Sequence, residues 1–346
     1  MKKALIALAV LGLTGGAAVA QSSVTLFGVL DANLRYTKAN GQTLKQLGTD
    51  GLNSSRLGVR GTEDLGGGLK AGFWLEGALN PDTGTADSTR FWGRRASVSL
   101  MGEFGEVRLG RGKTSTRLHI DDFDPYSTTG LGDVSKVYSV LGSGSDTLNR
   151  ADNQVQYFTP GNLGGFYGSV DVAAGEGAVG KKAIGGRVGY KNGPIHVSAA
   201  LENTTSAGNN KYKQTSIGGS YDFGVVKPSF NYSENKFRAA KQTIYTFGLT
   251  APLGQGQILA SYTQAKANGA AVGTNAVTST TSPVATDDAT LLSASYVYNL
   301  SKRTALYTTV AQIKNDGRAR FALAGSPAVA AGGKSSGVDV GVRHSF

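Results

Sequence analysis

The sequence predicts an all-β fold, a 16-stranded antiparallel transmembrane β-barrel, and three observations carry that prediction. Apolar and polar residues alternate with a period of two in segments of about eight to twelve residues, the pattern of half-buried strands. Tight Gly-rich turns and longer polar stretches join those segments in alternation, as in a barrel with short periplasmic turns and long extracellular loops. Beyond residue 20 no stretch approaches the roughly twenty apolar residues of a membrane-crossing helix. A membrane protein of this sequence crosses with strands.

Residues 1–20, MKKALIALAVLGLTGGAAVA, set Lys2 and Lys3 before an apolar stretch and Ala18-Val19-Ala20 before Gln21. That is a secretory signal peptide with a small-x-small cleavage site, so the exported domain is expected over residues 21–346. The first segment sets Val24, Leu26, Leu30, Ala32 and Leu34 against Asp31, Asn33 and Arg35. Further on, Leu69, Ala71, Phe73 and Leu75 oppose Lys70, Trp74 and Glu76, and Ile195, Val197, Ala199 and Leu201 oppose His196, Ser198 and Glu202. One face of each strand is apolar and the other wet. Tight turns fall at DLGGG (64–68), GEFG (102–105), TPGNLGG (159–165), KNGP (191–194), DFG (222–224), PLGQG (252–256) and LSKR (300–303). Seven turns make seven hairpins, and a lone strand at each end brings the count to sixteen.

The long connections are 38–53, 80–89, 112–149, 174–182, 204–212, 235–241, 267–287 and 316–335. Residues 267–287 are low-complexity Ala, Thr, Gly and Ser, the composition of an external loop that cannot fold alone. Residues 112–149, the longest connection, contain TRLHIDDFDPYSTTGLGDV, with enough aromatic and aliphatic side chains to pack against something. The final GVDVGVRHSF places Val338, Val340, Val342 and Phe346 on one face with Asp339 and Arg343 on the other. A strand here pairs with the first one, leaving no open edge.

The 346 residues include 50 Gly, 8 Pro and no Cys, and mean hydropathy is slightly negative. A water-filled barrel has that hydropathy because only its lipid-facing half is apolar. Without cysteine an exported chain has no disulfide scaffold. The formal charge is +11, or +9 without Lys2 and Lys3, but the basic residues are spread between strands rather than gathered in a helix or tail. Nucleic acid is therefore not expected as a partner. His119, His196 and His344 are far apart, and neither H-E-x-x-H nor G-x-S-x-G occurs. No metal, cofactor or catalytic activity is expected.

Several segments carry a family resemblance: SVTLFGVLDANLRY near the mature start, SSRLGVRGTEDLGGGLKAGFWLEG from Ser54, RASVSLMGEFGEVRLGR from Arg95, RADNQVQYFTP from Arg150, YVYNLSKRTALYTTVAQIKN from Tyr296, and the terminal GVDVGVRHSF. On these the chain resembles the general porins of Gram-negative bacteria, most closely the trimeric outer-membrane porins of beta-proteobacteria. The resemblance implies an outer-membrane homotrimer set in lipid. It implies a terminal Phe346 read by the barrel-assembly machinery, and a third loop (112–149) folded inward to narrow the pore opposite a ladder of arginines.

Arg56 and Arg60 take the wet face because Leu57 and Val59 take the other, and Arg150 opposes Ala151, Val155 and Tyr157 in the same way. A mid-depth arginine toward lipid costs roughly 2 to 4 kcal/mol, so the lumen is its place. The resemblance puts constriction arginines at Arg56, Arg94 and Arg150. For the second position parity favours Arg95 instead, and both remain open. Arg60 and Arg108 read as solvated vestibule charges. Asp133 is the best candidate for an acid across the pore, while Asp121, Asp122 and Asp124 read equally as loop-docking residues. Three arginines about 6 Å from an ion at a water-like dielectric favour an anion by on the order of 2 kcal/mol before screening. The function implied is passive diffusion of small hydrophilic solutes and small anions. A porin specific for organic acids or phosphate is the nearest alternative, and a secreted all-β adhesin the one from another class.

Overall fold

The computed structural model describes residues 23–268 and 287–346. The expected signal peptide and most of the low-complexity loop lie outside the described residues. Strand alternation closes into a single antiparallel sheet whose wall consists of sixteen strands. These are β1 (Ser23–Ala39), β3 (Arg56–Gly66), β4 (Leu69–Asn80), β6 (Arg95–Gly102), β7 (Gly105–Lys113), β8 (Arg150–Phe158), β9 (Phe166–Ala174), β10 (Lys182–Asn192), β11 (Ile195–Thr205), β12 (Lys211–Tyr221), β13 (Lys227–Phe237), β14 (Ala240–Leu253), β15 (Gly256–Asn268), β16 (Ala289–Asn299), β17 (Thr304–Asn315) and β18 (Lys334–Ser345). All seven hairpin turns fall where the glycine-rich segments place them. Two short strands, β2 (Gln42–Thr49) and β5 (Thr85–Ala86), belong to the first and second loops.

Outward positions such as Leu34, Val98, Leu201 and Val340 are exposed and apolar, whereas the inward Asn33, Gln156, Asn231 and Thr263 are buried and polar. β1 closes the barrel on its long side by pairing with β18 from Val29 opposite Ser345 to Ala39 opposite Ser335. On its other edge β3 covers residues 23–29 and β2 covers residues 32–39. Within the closing seam Arg35 donates to both carboxylate oxygens of Asp339 at 2.8 Å, and both side chains are buried. Phe346 continues the seam, exchanging backbone hydrogen bonds with Gly28 at 3.0 and 3.1 Å. Glycine suits residue 28, since a Cβ there would lie 2.3 Å from the Phe346 ring and 2.8 Å from the Arg56 carbonyl oxygen.

Residues 235–241 differ from the sequence reading. They are strand ends rather than a loop, with Phe237 paired to Ala240 across a link of only Arg238 and Ala239. Lys236 and Lys241 are outward strand positions at the barrel rim and Arg238 lies in the link, so the segment resembles a loop in composition alone. Residues 112–149 fold inward as α1 (Ser115–Phe123), a 3₁₀ turn at Val134–Val137 and irregular chain. Its Leu131, Val134, Val137 and Tyr138 form the largest buried cluster with Ile244, Leu291, Ile313, Phe321 and Leu323 from the wall and the last loop. The apolar core of this barrel lies inside it, between the third loop and the wall.

Candidate functional site

Wall side chains seat the third loop residue by residue. Thr114 caps α1, the Ser115 N–H donates to Asp171 Oδ1 (3.0 Å), and Thr116 Oγ1 donates to Glu202 Oε2 (2.9 Å). Carboxylates of β9 and β11 thus meet the electropositive end of the helix. His119 is held between Ser198 Oγ (2.7 Å) and Asn231 Oδ1 (2.8 Å), and Phe123 lies over Gly218, where a Cβ would come within 2.5 Å of its ring. Arg187 reaches Asp122 at 2.8 Å. Asp124 accepts the N–H groups of Tyr126 (3.0 Å) and Thr128 (2.8 Å). Burial pushes the Asp124 carboxyl up to about 7 and the His119 imidazole down to about 4. Asp122 docks the loop on β10, and Asp124 holds a turn within the loop.

Across from the seated loop, two lumen cavities of about 580 and 510 Å³ share four cationic side chains: Arg56, Arg94, Lys113 and Arg150. Arg56, at the start of β3, lies 3.8 Å from Glu76, and Arg94 donates to the same Glu76 carboxylate at 2.6 Å. Arg150, at the start of β8, donates to the Arg94 carbonyl at 2.8 Å and has no carboxylate within 4.0 Å among the described residues. Lys113 and Arg117 both hold Asp121, at 2.5 and 2.9 Å. Five cations here face two carboxylates, a net charge of +3.

Arg94 and Arg95 both turn inward. Strand parity applies only from Arg95, where β6 begins, and Arg94 sits in the tight bend that Gly93 closes onto Arg90. Arg95 bonds Ser97 Oγ (2.9 Å) and stacks over Trp74. Arg60 and Arg108 lie toward the short turns, Arg108 bound through two nitrogens to Glu106. Asp133 lines the first cavity but is occupied as the cap of the 3₁₀ turn, accepting Ser135 N–H at 2.8 Å, with Lys136 3.7 Å away. The acid among the arginines is Glu76 of β4, seen in the sequence only as a wet-face residue, and Lys113 was not singled out at all.

The family model described as Gram-negative porin matches residues 7–318. The chain belongs to the Gram-negative porin family. This porin is 41% identical, over the whole of both chains, to outer membrane porin protein 32 of Delftia acidovorans. It is 30% identical, again over both whole chains, to an outer membrane porin of Bordetella pertussis. Among solved structures it resembles an anion-selective porin from Comamonas acidovorans, with a TM-score of 0.83 and 38% identity over 94% of this chain and all of that one. The porin is an outer-membrane diffusion channel, and the adhesin alternative falls away. The sixteen-stranded barrel and the family named from its segments both stand.

Proposed function

We propose that this porin passes small hydrophilic solutes passively and favours anions, with Arg56, Arg94 and Arg150 as the constriction arginines and Lys113 as a fourth cation beside them. The cation excess where the two lumen cavities meet carries this reading. A narrow passage between low-dielectric walls focuses the field of such charges on a permeating ion. Glu76 neutralises part of the arginine charge and fixes Arg94, and Arg150 is the arginine left without an acid. The relative described as anion-selective supports the same sign of selectivity. Residues 1–20 as a cleaved signal, Phe346 as the assembly signal and a homotrimer in outer-membrane lipid complete the reading. The test is the reversal potential of the purified porin in a planar bilayer under a salt gradient. Stepwise conductance with an anion-selective potential is expected, and a cation-selective potential overturns the reading.

A further inference from the structure

Toward the short turns, the lumen wall forms a recess of about 290 Å³ between β3, β4, β6 and β7 that the constriction does not use. Trp74 lines it, with the guanidinium carbon of Arg95 4.5 Å and that of Arg60 5.0 Å from its ring. Arg60 also lies 5.3 Å from the Phe27 ring, and Arg108 lies 4.3 Å from Phe158. Glu106 is the acid of the recess, bound through two bonds to Arg108 and 4.0 Å from Arg95. Arg60 has no carboxylate within 4.0 Å among the described residues. Three guanidinium groups and one carboxylate leave a net charge of +2.

Trp74, Arg95 and Arg108 line both this recess and the cavity that adjoins the constriction. An anion leaving the four shared cations therefore comes directly to them.

We propose that the recess is a second anion station, which takes organic carboxylates with a planar apolar body, such as an arenecarboxylate. The proposal rests on the reading of this porin as an anion channel and adds a solute class to it. A guanidinium stacked on an aromatic ring has its plane fixed and keeps edge N–H groups for a carboxylate, which it can bind through both oxygens. Trp74 and Met101, the latter lining the same recess, offer apolar, polarisable surface to the remainder of the solute. Chloride gains the charge alone, and acetate gains the charge and the carboxylate contacts without the ring surface.

The experiment uses the whole porin in a planar bilayer in potassium chloride and compares benzoate with acetate as blockers of the ion current. Half-block by benzoate is expected at a concentration about tenfold lower than by acetate, a ratio that divides out any change in overall conductance. Trp74→Leu should bring the two acids within about threefold, and Arg60→Gln should raise the benzoate half-block several-fold. Equal half-block by the two acids in the natural protein, or a benzoate preference that survives both substitutions, overturns the inference. If Trp74→Leu does not assemble, the natural protein and Arg60→Gln decide alone. An anion-selective reversal potential without benzoate preference sinks the station but not the channel reading, whereas a cation-selective potential sinks the channel reading first.

Discussion

Replacing Arg150 by serine removes the constriction arginine that no acid opposes, and the size of the effect follows from the charges around it. The junction falls from a net +3 to +2, while Arg56, Arg94 and Glu76 keep their mutual contacts. A unit charge about 6 Å from a permeating ion contributes about 0.7 kcal/mol at a water-like dielectric. Screening with a Debye length of about 10 Å at 0.1 M salt reduces that to about 0.4 kcal/mol. Because the same charge attracts anions and repels cations, it acts twice on the permeability ratio. Arg150→Ser should therefore lower the anion-to-cation ratio between about fourfold and tenfold, the larger value at low salt. The assay is the reversal potential across a bilayer at two salt concentrations, with Arg150→Lys as a control that keeps the charge. Glu76→Gln should shift the potential in the opposite direction, since it raises the net charge by one. An unchanged potential in Arg150→Ser, or a loss of anion preference in Glu76→Gln, would show that the field is set elsewhere.

The seam and the loop give two more expectations. Arg35→Leu leaves Asp339 buried without its partner, and a loss of about 3 to 5 kcal/mol is expected, read as a lower thermal midpoint of the β-sheet circular dichroism signal in detergent. The double substitution Arg35→Leu, Asp339→Leu should recover most of it. In the third loop, His119 is depressed to about 4, so its contribution to loop docking is complete above its ordinary value near 6.5 and is lost as pH falls toward 4. Asp124, raised to about 7, has the opposite sign: burial of its carboxylate costs most above pH 7, and docking strengthens as pH falls through 7 toward its ordinary value near 3.8. Relative to the natural protein, His119→Gln should gain resistance to proteolysis within the loop between pH 6.5 and 4, and Asp124→Asn should lose it between pH 7 and 4.

The strands and turns were legible in the sequence because a period of two and the Gly-rich tight turns are local properties. The inward third loop was foreshadowed by its apolar residues, and Leu131, Val137 and Tyr138 are indeed fully buried. The site was legible only in part. Arg56 and Arg150 could be assigned to the wet face by parity, but parity does not extend to Arg94, which precedes its strand. Asp133 lines the first lumen cavity and at the same time caps the 3₁₀ turn, a second role that the Asp-Val-Ser spacing describes. The partnership of Glu76 with Arg56 and Arg94 joins two strands and the bend before a third, and that of Lys113 with Asp121 depends on where the loop docks. The rings that the recess arginines lie over, Phe27, Trp74 and Phe158, come from β1, β4 and β8, three strands far apart in the sequence that the curvature of the barrel brings to one stretch of wall.

Arg35 and Asp339 stand 304 residues apart in the chain, and the seam they join must form in one register. Until β18 arrives, β1 and β17 each present an open edge that would accept a misaligned strand. A slip of one residue would turn Asp339 toward lipid and leave Arg35 facing no acid. A slip of two would set Arg35 opposite Gly337 or Gly341, neither of which has a side chain to answer it. Asp339 is the only acid in β18, so the ion pair acts as a key that fits one alignment, and the flanking glycines leave the neighbouring alignments empty.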